Sequence, residues 1–173
     1  MTTYKTRLKD ITTFIFDYDG VMSDGMVYTV GDYDQIRNSN VKDGYALHQA
    51  VKKGYHIAVI SGGRGDSMRS RLATLGITDV FQGVGNKKQV FEDYCKEHHL
   101  QHEEILYMGD DIPDYEVIQI AGIGTCPANS VPEIKAVAHY ISPFEGGHCC
   151  VRDVIEQVMK VRGDWMQHDA VIW

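Results

Sequence analysis

The chain has 173 residues, with 17 basic against 24 acidic side chains and a formal net charge of −7. That balance argues against a nucleic-acid surface, which needs a positive face to neutralise phosphates. An apolar content of 43% and a charged content of 24% are ordinary for a globular protein, and no apolar run approaches the length of a membrane span.

The length suits one domain over residues 1–173 with a sizeable core. The polar start, Met1 to Arg7, leads into no signal-peptide core, and Cys95, Cys126, Cys149 and Cys150 lack Cys-x-x-Cys spacing. Both features predict a cytoplasmic protein with reduced thiols. Cys149-Cys150 beside His148 is a poor metal site, because adjacent residues rarely bind one ion well. His98, His99 and His102 lie in a Lys/Glu-rich helical stretch and read as a solvated face.

In chain order, the apolar run Phe14-Ile15-Phe16 reads as a buried strand that ends in Asp17-Tyr18-Asp19-Gly20. At the C-terminal edge of a parallel sheet both acids reach one crevice, where α/β folds put their ligands. Two carboxylates that close repel unless a cation or a shared proton relieves them. One can then attack while the other carries a proton. The same residues are also ordinary turn formers. A β-hairpin is expected over about 26–38, then a helix over 45–53 opened by Asp43-Gly44 and stopped by Gly54.

The run 56–60 is a second buried strand, ending in Ser61-Gly62-Gly63-Arg64-Gly65-Asp66. A hydroxyl followed by glycines there can hold an anion, or the same residues can cap a helix running to about Leu75. A short strand follows at 79–82. Gly83 to Lys88 lacks the Gly-x-x-x-x-Gly-Lys-Ser/Thr pattern of a nucleotide loop. The next helix, 87–98, opens on Lys87, an unfavourable choice for the helix dipole unless the lysine works elsewhere or is simply solvated. The strand 104–109 ends in Asp110-Asp111-Ile112-Pro113-Asp114, three carboxylates in five residues. Strands at 122–125 and 139–141, helices at 127–138 and 151–161, and a turn at 145–148 complete the pattern. The tail after Gly163 carries Trp165, Met166, Val171, Ile172 and Trp173, which should bury against something. The alternation predicts a Rossmann-like three-layer α/β/α fold with a central parallel sheet plus the hairpin.

Parallel strands bring Asp17/Asp19, Ser61, Lys87 and Asp110/Asp111/Asp114 to one edge. In these four ordered motifs the chain resembles the haloacid-dehalogenase superfamily of phosphotransferases. Only 43 residues lie between Asp17 and Ser61, and 22 between Lys87 and Asp110, which leaves no room for a cap domain. Among capless members the chain is similar to the 3-deoxy-D-manno-octulosonate 8-phosphate phosphatases. The likeness runs through Asp-Gly-Val-x-Ser-Asp-Gly at 19–25, Val-Lys-Asp-Gly-Tyr at 41–45, Arg-x-Ala-Thr-Leu-Gly-Ile at 71–77 and Gly-Gly-x-x-x-Val-Arg-Asp at 146–153.

The resemblance implies an Mg²⁺-dependent phosphatase acting on a sugar phosphate in lipopolysaccharide sugar synthesis, assembled as a homotetramer, with no nucleic-acid or membrane partner. Asp17 would be the nucleophile and Asp19 the acid and base. Asp17, Asp110 and the Asp19 carbonyl would hold the metal. Ser61 and main-chain N–H groups near Tyr18 and Gly62 would bind the phosphoryl oxygens, beside Lys87, Asp111 and Asp114. Arg64, in the same loop, would also bind phosphate or substrate. Asp43, Arg71 and Arg152 would touch sugar or carboxylate across a subunit boundary, or else serve as surface ion pairs and helix caps.

Position 63 is glycine where octulosonate-phosphate phosphatases commonly carry arginine, and the turn reads Gly-Gly-His-Cys-Cys instead of Gly-Gly-Arg-Gly-Ala. Thr74 leans towards the eight-carbon sugar over the nonulosonate 9-phosphate alternative. A receiver domain is a rival reading, but it would split its acids between strands. A non-catalytic assembly domain would not need Asp17, Asp19, Lys87 and Asp110 intact.

Overall fold

A computed structural model describes residues 3–30, 34–168 and 170–171. After a short α1 (Tyr4–Arg7) come β1 (Thr13–Phe16), the hairpin strands β2 (Tyr28–Val30) and β3 (Asp34–Ile36), α2 (Val41–Lys52), β4 (His56–Ile60) and α3 (Asp66–Ala73). The second half runs β5 (Asp79–Phe81), α4 (Lys87–Glu97), β6 (Ile105–Met108), α5 (Tyr115–Ile120), β7 (Ile123–Cys126), α6 (Pro132–Val137), β8 (Tyr140–Ile141) and α7 (Cys150–Arg162).

The main sheet has the order β5-β4-β1-β6-β7-β8 and every pairing in it is parallel. Parallel strands are covered on both faces, so β1 and β6 read as continuous apolar runs and are buried throughout. Alternate residues divide between two cores. Phe14, Phe16, Leu106 and Met108 pack with Leu47 of α2, Leu72 of α3 and Val154, Val158 of α7. Ile15, Ile105 and Tyr107 pack on the other face with Phe91 of α4, Val117 of α5 and Ile134 of α6. The period of two in β1 thus sets the three-layer architecture.

Several boundaries differ from those read in the sequence. α2 begins at Val41 because the Asn40 side chain accepts from Lys42 N–H and caps it, which puts Asp43 inside the first turn. α3 starts after Gly65 with no side-chain cap. α5 was not anticipated, since a six-residue helix straight after an acidic turn shows little periodicity. α6 starts at Pro132, five residues later than expected, because 128–130 form a turn and Val131 is extended.

The tail folds back onto its own chain as far as it is described. Trp165 meets Tyr45 edge-on at 6.0 Å, Arg152 stacks over Trp165 at 5.5 Å, and the Tyr45 hydroxyl donates to Ala170 O. Val171 is exposed, and the Ile172–Trp173 part of the expected contact lies outside the described residues. The hairpin pairs β2 with β3 apart from the main sheet and leaves Met26, Tyr28 and Ile36 more than half exposed, at 58%, 58% and 51%. No described helix is long and apolar enough to cross a membrane.

Candidate active site

β1 lies between β4 and β6, so the connections leave it in opposite directions across the sheet, which opens a crevice beyond the strand ends. Asp17 leaves β1 directly, and its N–H donates to Met108 O at 2.9 Å, locking it to the end of β6. Ser61 leaves β4 fully buried; its N–H donates to Phe81 O at 2.9 Å and its Oγ accepts from Gly63 N–H at 3.0 Å. The Tyr18 ring is buried in the core and Gly62 has no side chain, so each can meet a ligand at this edge only through its main chain.

Lys87 opens α4, whose cap is Asn86 accepting from Gln89 N–H. Its side chain turns back into the crevice, with Nζ 2.9 Å from Asp17 Oδ1 and 2.7 Å from Asp114 Oδ1. The helix-opening lysine therefore works against two buried acids and is not solvated. Asp114 is saturated: Oδ1 also accepts from the Tyr107 hydroxyl at 2.5 Å, and Oδ2 accepts from the N–H groups of Asp110 and Asp111 at 3.2 and 3.4 Å. Asp111 is an exposed cap, its Oδ1 accepting from Ile112 N–H at 2.8 Å.

These contacts leave an excess of negative charge in a buried place. Burial, then the Asp114 charge, pushes the Asp17 carboxyl well above the usual carboxylate range, with Lys87 opposing. Asp110 is pushed up to about 6 by burial and by Asp114, although a hydrogen bond with Asp17 works the other way. Burial alone would lower the Lys87 ammonium, but Asp17 and Asp114 together outweigh it and the net direction is up.

Asp17, Asp110 and Asp114 each offer an oxygen within 4.8 Å of the others, a spacing that can hold a cation. Because Asp114 already accepts four bonds, Asp17 and Asp110 are the side chains with capacity left. An all-oxygen donor set with two strained acids suits a hard divalent ion. Gly20 is required beside them: its φ is +89°, and a Cβ there would overlap the Asp110 carboxylate.

Asp19 turns away from this cluster and pairs with Arg37, whose Nε lies 2.6 Å from Asp19 Oδ1. Arg37 was not singled out in the sequence. It follows a hairpin of weak signal, and no spacing rule connects it to Asp19.

The residues expected at phosphate or sugar also have partners within the chain. Arg64 is exposed and lies over Gly83, where a Cβ would overlap its guanidinium. Arg71 sits over Gly44 and bonds weakly to Thr74 Oγ1 at 3.5 Å. Arg152 pairs with Glu156 and stacks on Tyr45. Asp43 caps α7, its Oδ1 accepting from Arg152 N–H at 2.7 Å and its Oδ2 from Cys149 N–H at 3.2 Å. Within the chain, Asp43 thus serves as a helix cap and Arg152 as an ion-pair partner. Cys149 itself is held at φ +79° just before the helix.

Asp43→Ala leaves two donors at the α7 N-terminus unpaired and lowers stability by about 2 kcal/mol. Burial pushes the Asp43 carboxyl up to about 6, against its two backbone donors and Arg152. A folded-state value above the unfolded one means that this group stabilises most at low pH, and that the contribution fades as pH rises through about 6. The gap in Tm between wild type and Asp43→Ala is therefore wider at pH 5 than at pH 7.5. A gap that narrows at pH 5 would contradict the assignment.

Comparison with known proteins gives one consistent answer. A family model described as haloacid dehalogenase-like hydrolase matches residues 73–146. The chain is 32% identical over 157 residues to the 3-deoxy-D-manno-octulosonate 8-phosphate phosphatase KdsC of Escherichia coli strain K12, covering 91% of this chain and 84% of the relative. The crystal structure of the phosphatase of that name from Yersinia pestis superposes with a TM-score of 0.90 at 30% identity, over 93% of this chain and 87% of that one. The enzyme of that name from Moraxella catarrhalis, solved in complex with a magnesium ion, a phosphate ion and a KDO molecule, gives a TM-score of 0.90 at 28% identity over 94% of this chain and 93% of the other.

Proposed function

The chain belongs to the haloacid dehalogenase-like hydrolases, in the family of 3-deoxy-D-manno-octulosonate 8-phosphate phosphatases, and we propose that this sugar phosphate is its own substrate. The observation that carries the reading is the buried cluster in which one ammonium, Lys87, serves Asp17 and Asp114 while the Asp114 and Asp110 charges both press on Asp17. Such a cluster is incomplete without a divalent cation and is matched to a phosphoryl group arriving with it.

An Asp17 oxygen attacks phosphorus as the bond from phosphorus to the sugar oxygen breaks, and Asp19 gives its proton to that oxygen. Hydrolysis thereby passes through an aspartyl-phosphate. Water then attacks the phosphoryl group, Asp19 takes back a proton, and the bond to Asp17 breaks to release phosphate. Lys87 neutralises the transferring oxygens from a position fixed by Asp114. Ser61 Oγ and the main-chain N–H groups of Tyr18 and Gly62 receive those oxygens in a water-poor site. Mg²⁺ bound by Asp17, Asp110 and the Asp19 carbonyl would offset the carboxylate and phosphoryl charge. The product enters lipopolysaccharide sugar synthesis in the cytoplasm. The exposed apolar hairpin meets its copies in a homotetramer, which light scattering tests directly, a monomer counting against it.

Phosphate release with Mg²⁺ is compared for octulosonate 8-phosphate, a nonulosonate 9-phosphate and p-nitrophenyl phosphate. The largest kcat/KM is expected for the octulosonate. A preference for the nonulosonate would keep the chemistry and replace the sugar, and no release from any of them would overturn the reading.

A further inference from the structure

Arg37 belongs to none of the four motifs, yet its side chain is 4% exposed while Gln35, Ile36 and Asn38 around it are exposed. Its three donor nitrogens go to three different places. Nε donates to Asp19 Oδ1 at 2.6 Å, Nη1 to Arg64 O at 3.1 Å and Nη2 to Gln35 Oε1 at 3.0 Å. The guanidinium thus joins the hairpin, the loop after β4 and the second acid of the β1 motif. Gly63 makes room for it: a Cβ at that position would stand 2.6 Å from Arg37 Nη2 and 2.6 Å from Asp19 Oδ2. The glycine at 63 and the arginine at 37 are two halves of one arrangement.

We propose that Arg37 is the positioning residue for Asp19, fixing the carboxylate so that Oδ2 alone carries the proton exchanged with the leaving oxygen. A planar guanidinium anchored at two further points holds one rotamer of a carboxylate more firmly than a flexible ammonium does. An N–H facing Oδ1 excludes a proton from that oxygen and directs it to the other. As Asp17 bonds to phosphorus and the ester bond breaks, the Oδ2 proton passes to the departing oxygen and leaves Asp19 as the anion that Arg37 already pairs. Arg37 contacts neither phosphorus nor the leaving oxygen in this scheme and acts only through Asp19.

The inference rests on the phosphatase reading and makes a claim that reading does not. Proton donation matters greatly for an alkoxide leaving group and little for p-nitrophenolate. The test measures kcat/KM with Mg²⁺ on phosphate monoesters graded from p-nitrophenyl phosphate to a simple alkyl phosphate, for wild type, Arg37→Ala, Arg37→Lys and Gly63→Ala. Arg37→Ala is expected to lose on the order of 10²-fold on the alkyl ester and only a few-fold on p-nitrophenyl phosphate, steepening the dependence on leaving group. Arg37→Lys recovers part of the loss. Gly63→Ala reproduces the steeper dependence with Arg37 still present, and together with the lysine variant it carries the test if Arg37→Ala does not fold. Equal losses across the series, or none, would overturn the positioning role while leaving the phosphatase intact. A wild type inactive on every ester would overturn both.

Discussion

Asp17→Asn lowers turnover by at least about 10⁴-fold, some 5.4 kcal/mol of barrier, and yet unfolds no earlier than wild type in metal-free buffer at pH 8. An amide is a very poor nucleophile, so in the mechanism proposed for Asp17 removing the charged oxygen removes the step in which phosphorus changes partners. The stability half follows from the charge balance around the strand ends. Burial and Asp114 raise the Asp17 carboxyl well above its ordinary value, and Asp110 sits at about 6 for related reasons. Groups raised in the folded state bind protons more tightly there than in the unfolded chain. They stabilise the metal-free protein most at low pH, and that contribution is lost as pH rises through their folded values. Replacing Asp17 by Asn takes one buried charge out of the cluster and leaves Lys87 its bond to Asp114. Tm measured at pH 5 and pH 8, with chelator and with Mg²⁺, separates the two effects. Wild type should lose stability between the two pH values in chelator and regain it with Mg²⁺, while Asp17→Asn should show a flatter profile. A variant markedly less stable than wild type at pH 8 in chelator would mean that the charge of Asp17 holds the fold together.

The residues that end strands were legible because each follows an apolar run that fixes its place. Asp17, Ser61 and Asp110 could be set on one edge from the strand periods alone, and the parallel order of the sheet follows from the alternation with helices. Lys87 was legible as an anomaly, a cation at a helix N-terminus, although only the fold shows which acids it meets. Asp43 was ambiguous, since a carboxylate three residues after Asn40 and near a glycine serves equally as ligand or cap. The cap contacts it makes, to Cys149 and Arg152, come from more than a hundred residues away. Arg37 was illegible for a related reason. Its approach to Asp19 depends on how a short hairpin folds over the crevice, and it needs the missing side chain at Gly63, a feature with no sequence period. Local pattern finds residues that a strand delivers, and misses those that a loop delivers.

Lys87→Met is the substitution expected to damage both fold and activity. Methionine keeps roughly the length and apolar stem of the side chain, so the loss isolates the ammonium. Without it Asp17, Asp110 and Asp114 share a buried space with no side-chain cation between them. Removing one partner of a buried ion pair costs about 3–5 kcal/mol, because the remaining charges are left uncompensated. For a chain of 173 residues this corresponds to a fall in Tm on the order of 10 °C in metal-free buffer at pH 7.5. Asp17 and Asp110 can answer by taking up protons, and the loss of Lys87, which opposes both upward shifts, moves them higher still. The deficit should therefore shrink at pH 5, and also with Mg²⁺, which supplies positive charge and binds the folded state alone. Activity does not return with stability. Mg²⁺ would meet oxygens on the Asp17–Asp110 side, whereas Nζ stands between Asp17 and Asp114, so the phosphoryl group lacks one of its two positive neighbours. A fall of about 10³-fold in kcat is expected even where Tm has recovered, the size seen when a preorganised charge is removed from a dry site. Lys87→Arg should not rescue it, since the wider planar head cannot occupy a space bounded at 2.9 and 2.7 Å by two carboxylates without moving Asp114 off Tyr107. An unchanged Tm at pH 7.5 in chelator would mean that the acids are already protonated there and that Lys87 is not what holds them together.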